Sequence, residues 1–143
     1  MTNKTGATDQ QSHPRLHEVV LDPTGDFIVA PDLGADLIRI FKVEDKNTLA
    51  LGNMTTVATP DLSGPRHGGF AKVGSETYFY VATELSSQII GWKVKYAGDS
   101  LDFGEALFMI PTAGSGNKVV EGGKGAELAI SVSSDYSNSP TVD

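Results

Sequence analysis

The 143-residue sequence contains no cysteine. Disulfides, thiolate metal sites and a cysteine nucleophile are excluded, so any chemistry must come from oxygen and nitrogen side chains. Long apolar runs are missing too. Nothing approaches the roughly 18 to 20 residues of a membrane helix, and residues 1–12 are polar, without the apolar centre of a secretory leader. The expected setting is the cytoplasm, with no membrane partner. Positive charge is scarce: 11 Lys and Arg stand against 18 Asp and Glu, a net charge of -7, and the cations are scattered singly. A nucleic-acid backbone finds no basic stripe to follow, so nucleic acid is not an expected partner.

Turn residues and short β-rich runs are what the sequence does have. Gly (16) and Pro (7) punctuate it, and 39% hydrophobic residues suffice for a core. The runs repeat. His17-Glu18-Val19-Val20-Leu21-Asp22-Pro23-Thr24-Gly25, then Phe27-Ile28-Val29-Ala30 and Leu37-Ile38-Arg39-Ile40-Phe41-Lys42-Val43, form one copy. Gly64-Pro65-Arg66-His67-Gly68-Gly69-Phe70, then Tyr78-Phe79-Tyr80-Val81 and Gln88-Ile89-Ile90-Gly91-Trp92-Lys93-Val94, form the second. Setting Leu21 on Phe70 and Phe41 on Trp92 gives a period of about 50 residues, built only of short strands, which points to propeller blades that bury their faces on one another. The fold class is therefore all-β: a β-propeller fragment of about two and a half four-stranded blades.

Residues 1–12 read as a disordered lead, 13–132 as the partial propeller and 133–143 as a disordered tail. Strands are expected near 17–22, 27–31, 37–43 and 53–58 in the first copy, and near 67–72, 77–82, 88–95 and 105–110 in the second. In the first hairpin Asp22 opens the turn, Pro23 fixes φ, and Gly25 takes the positive φ that closes it. Residues 112–125 read as a Gly-rich linker; their lysines are followed by Val119 and Gly125, not by the Ser or Thr of a phosphate loop. A third copy opens at Gly125-Ala126-Glu127-Leu128-Ala129-Ile130-Ser131, with Ile130 in the place of Leu21 and Phe70.

The same superposition places His17 on Arg66, near the start of each innermost strand. Equivalent positions on innermost strands converge on a propeller's axis, so the two should meet at the channel mouth. Glu84 follows the second strand of the second copy and faces the same entrance; its counterpart is Leu33, so the scaffold does not require a carboxylate there. Arg66 would clamp an anionic substrate with His67 beside it, while His17 and Glu84 carry protons. The competing reading is structural, with these side chains capping the inter-blade turn. His13 and His17 would pair on a metal only if helical, which Pro14 opposes. Asp22, Asp26, Asp32 and Asp36 sit where hairpins place Asp, without the ligand alternation of a calcium loop. No metal and no cofactor is expected, and Trp92 reads as packing between blades.

Four motifs in order carry a family resemblance: residues 17–25 with Ala30-Pro31-Asp32-Leu33-Gly34-Ala35-Asp36, then Gly64-Pro65-Arg66-His67, then Thr83-Glu84-Leu85-Ser86, then residues 126–131. Together they resemble the seven-bladed propeller lactonases, a family that includes 6-phosphogluconolactonases and fungal carboxy-cis,cis-muconate cyclases. The resemblance spans residues 13–132, the middle of a family member. It implies a small anionic lactone or carboxylate substrate, and a site of one His, two Arg and one Glu around the channel. His17, Arg66 and Glu84 match; the second Arg would follow residues 126–131, and no Arg follows Arg66 here. The resemblance therefore implies a hydrolase acting on a lactone, most closely 6-phosphogluconolactonase-like, or a cyclase forming one. The missing Arg and blades leave a second expectation, an inactive fragment or binding scaffold that self-associates through its edge strands.

Overall fold

The computed structural model describes residues 8–114, 116–119 and 121–131. Two antiparallel sheets make up the chain. In the first, β1 (Val20–Leu21), β2 (Phe27–Asp32), β3 (Leu37–Asp45) and β4 (Ala50–Ala58) lie in sequence order. In the second, β5 (Pro65–Val73), β6 (Glu76–Thr83) and β7 (Gln88–Ala97) are followed by two short strands, β8 (Ser100–Asp102) and β9 (Phe108–Pro111), which both pair with β7. The meander follows from the hairpin turns. Gly25 closes the first at φ 73, its N–H bonded to Asp22 O, while the Asp22 carboxylate takes the amides of Thr24, Asp26 and Phe27.

The register supports the repeat. Ile28 pairs with Phe41 in the first sheet and Phe79 with Trp92 in the second, so Phe41 and Trp92 are equivalent; Leu21 opposite Ile28 matches Phe70 opposite Phe79. Because strand side chains alternate, each sheet presents two faces. Phe27, Val29, Ile38 and Ile40 of the first sheet meet Phe79, Val81, Ile90 and Trp92 of the second, with Phe103 from the segment after β8, in one core. Phe79, Val81 and Ile90 are fully buried, each contributing about 1.5 to 3 kcal/mol. Trp92 meets Phe103 edge-on at 5.9 Å and packs between the blades as the sequence indicates.

Polar ties lock the blades together. The Asp36 carboxylate accepts from Leu62 N and Gly64 N, both at 2.8 Å, and from Ser63 Oγ at 3.3 Å, so the first blade grips the connection to the second. At the opposite end the Tyr96 hydroxyl donates to Asp22 Oδ2 at 2.9 Å. Burial, then that bond, push the Tyr96 phenol up to about 12. Asp32 is engaged by Arg39 and Asp26 by Lys46, so the four aspartates serve turns and packing.

Several expectations change. Within the lead, Asp9–Gln11 form a 3-10 turn, and buried Gln11 donates to Leu33 O at 3.0 Å, polar bonding replacing an apolar anchor. Residues 1–7 and the tail 133–143 lie outside the described residues. The first strand shrinks from 17–22 to Val20–Leu21, and Leu21 is 53% exposed because no described sheet packs on its face. The fourth strand of the second blade, expected at 105–110, divides into β8 and β9; Leu101 in β8 and Phe103 just after it turn into the core. Residues 125–131 run beside β5 without forming a strand, although Ile130 packs on Gly69, where an added Cβ would come within 2.7 Å of it. Among the described residues no helix is long and apolar enough to cross a membrane.

Candidate functional site

Matching backbone bonds set the site. In the first blade Leu33 N bonds Arg15 O and Leu16 bridges Asp32; in the second Glu84 N bonds Gly64 O and Pro65 pairs with Thr83. His17 and Arg66 are therefore structurally equivalent, as are Leu33 and Glu84. Arg15 is held further by its N–H to Asp32 Oδ1 at 2.7 Å, and Asp32 is fixed by buried Arg39, whose Nε and Nη2 both lie 2.7 Å from Oδ2. An Asp–Arg pair thus braces the segment leading to His17. In the second blade a register shift between Pro65 and His67 leaves Arg66 as a bulge, a device that re-aims one side chain.

Two linked groups of side chains result. The His17 and His67 rings lie 5.3 Å apart, and His67 Nδ1 is 3.4 Å from Glu18 Oε1 and 3.3 Å from Glu127 Oε1. Glu18 Oε2 also accepts from Gly68 N at 2.6 Å, which ties the first blade's inner strand to the second's. In the other group Arg66 Nε stands 2.9 Å from Glu84 Oε2, and Lys124 Nζ 3.0 Å from Glu84 Oε1. The Arg66 Nε contact is ionic without the alignment of a hydrogen bond, and His67 Nδ1 likewise lacks an aligned partner. Arg66 Nη1 donates to Ala126 O. Gln10 touches both sides of the Glu84–Lys124 pair, donating to Glu84 Oε1 at 3.4 Å and accepting from Lys124 at 3.2 Å.

Burial pushes the Glu84 carboxyl up, but the Lys124 hydrogen bond and the charges of Lys124, Arg66 and His17 outweigh it and hold the group below its ordinary value. Glu84 is thus an ionised anchor for two cations and a weak base. Among the described residues no hydrogen bond engages the exposed His17 ring, which leaves its nitrogens available. The arrangement can hold an anion against two cations and exchange a proton through an imidazole.

His17, Arg66, His67 and Glu84, named from sequence, all come together. His17 meets His67 across the rings, whereas Arg66 turns to Glu84. His13 stands apart, its Nδ1 3.0 Å from Ser12 Oγ. Sequence reasoning missed Lys124, Gln10, Glu18 and Glu127. Lys124 sits in the stretch read as a flexible linker, yet Ser87 Oγ holds Gly123 O at 2.8 Å. Its one signal was a lysine between glycines.

The sequence profile of the family described as "Lactonase, 7-bladed beta-propeller" matches residues 1–137. The chain belongs to this lactonase family. The protein of Arthroderma benhamiae named "Probable 6-phosphogluconolactonase" is 33% identical over 95% of this chain and 33% of its own length. The 6-phosphogluconolactonase of Bacillus subtilis is 33% identical over 59% of this chain and 23% of its own. Among solved structures, the periplasmic gluconolactonase of Pseudomonas aeruginosa superposes with a TM-score of 0.64 and 26% identity, over 82% of this chain and 32% of that one. This lactonase-family chain therefore spans about a third or less of these relatives' length, and its two sheets are blades of their propeller.

Proposed function

We propose that this chain contributes the hydrolytic site of a 6-phosphogluconolactonase-like protein. The observation that carries the reading is the meeting of His17, Arg66 and Glu84, the residues that the family resemblance names, at one end of two packed blades. Hydrolysis adds water to the lactone carbonyl, breaks the bond from that carbon to the ring oxygen and leaves the proton on the departing hydroxyl. His17 takes the proton from water and returns it to the ring oxygen. Arg66 binds the phosphate through its planar guanidinium, and Glu84, too acidic for an effective base, orients Arg66. His67 packs against His17 and fixes its ring. The relatives' names favour phosphogluconolactone over carboxymuconolactone, and a sugar phosphate as substrate favours the cytoplasm.

A second reading, a non-catalytic segment that binds through its open faces, is favoured by the exposed apolar side chains of Phe108, Met109 and Ile110 on β9. The test is the opening of 6-phosphoglucono-δ-lactone in a pH-stat, comparing the purified chain with Arg66→Ala. Hydrolysis above the spontaneous rate, lost in the variant, supports the lactonase reading; an unaccelerated rate leaves the binding segment.

A further inference from the structure

We infer that Lys124 is an anion-binding residue of this site, the second cation that receives the substrate's anionic group; the inference deepens the lactonase reading and rests on it. Glu84 brings one negative charge to two positive ones, Arg66 and Lys124. Arg66 Nε has no aligned acceptor and its Nη1 is bonded to a neutral carbonyl, while Lys124 divides its bonds between Glu84 and the neutral amide of Gln10. One positive charge therefore remains uncompensated within this group. The neighbouring carboxylates Glu18 and Glu127 are directed at His67.

The lysine is also placed, not merely nearby. Ser87 Oγ fixes Gly123 just before it, and Gly125 just after it lies so close to Thr83 that a Cβ would stand 2.6 Å from the carbonyl oxygen. The Lys124 side chain is about half exposed at 48%, so an incoming oxyanion can reach it. Such an oxygen replaces Gln10 Oε1 and leaves no charge unpaired. Exchanging a neutral acceptor for a charged one strengthens the bond.

Titration of the chain with inorganic phosphate, followed by NMR, separates this role from a structural one. Lys124→Met weakens phosphate binding about tenfold, the loss of one charge-assisted bond, and Lys124→Arg restores most of it. Glu84→Gln strengthens binding, because the competing carboxylate charge is gone. Unchanged affinity in Lys124→Met, or weaker binding in Glu84→Gln, overturns the inference. Initial rates add a second readout: Lys124→Met raises KM for 6-phosphoglucono-δ-lactone and leaves KM for unphosphorylated glucono-δ-lactone alone. Hydrolysis with an unchanged ratio of the two overturns the role of Lys124 while the lactonase reading stands. Absence of hydrolysis removes that reading, and the phosphate titration still decides whether Lys124 binds an anion.

Discussion

Asp36→Ala removes the grip of the first blade on the second. Its carboxylate holds two backbone amides, at Leu62 and Gly64, and the Ser63 hydroxyl. Gly64 is buried and cannot rehydrate, so its orphaned N–H costs about 1 to 3 kcal/mol. Leu62 is 46% exposed and its amide regains water, which limits that loss to about 0.5 to 1 kcal/mol. Asp36 also sits at φ 50, a left-handed conformation that Asp and Asn tolerate and Ala resists by about 1 kcal/mol. The sum is about 2.5 to 5 kcal/mol for Asp36→Ala, and about half for Asp36→Asn, which keeps the backbone and one oxygen. Urea unfolding followed by the fluorescence of the single tryptophan, Trp92, reports directly on the blade interface where that ring is buried. The midpoint should fall at constant slope. A change under about 0.5 kcal/mol in Asp36→Ala would refute the view that this carboxylate joins the blades.

Further predictions concern charge, a distant tie and packing. Because Glu84 is more acidic folded than unfolded, it stabilises the fold above its ordinary value of 4.5, and that stability is lost as pH falls through its lower folded value. Glu84→Gln should flatten stability against pH in that acid window, as read by urea midpoints at successive pH values. Tyr96→Phe should cost about 0.5 to 1.5 kcal/mol in urea unfolding and abolish the tyrosine titration near 12 in the ultraviolet. Gly68→Ala puts a Cβ 2.4 Å from Phe79 Cζ and 3.1 Å from Tyr80 O. With Phe79 fully buried, urea unfolding should show a loss of about 1 to 3 kcal/mol.

The strand period and hairpin chemistry of 17–25 and 64–94 made the blades legible, because alternation and turn glycines act locally. Superposing the copies aligns His17 with Arg66 without reference to any tertiary contact. Tertiary features escaped. The buried Asp32–Arg39 pair braces the His17 segment across the sheet, and nothing local distinguishes it from exposed charges. The bulge at Arg66 and the docking of Lys124 onto Glu84 depend on where distant segments are laid down, and glycines around a lysine read as freedom when they permit close approach. The Gln11 contact is illegible for the opposite reason, since one buried amide and no apolar side chain ties this polar stretch to Leu33.

The central claim is that equivalent positions of two packed blades make one hydrolytic site. Its most direct test is the initial rate of 6-phosphoglucono-δ-lactone opening, spontaneous reaction subtracted, for the chain and for His17→Asn, Arg66→Ala and Glu84→Gln in parallel. The catalysed rate should fall about tenfold or more in each variant, with the circular-dichroism spectrum retained. A catalysed rate that survives the loss of both His17 and Arg66 would contradict it.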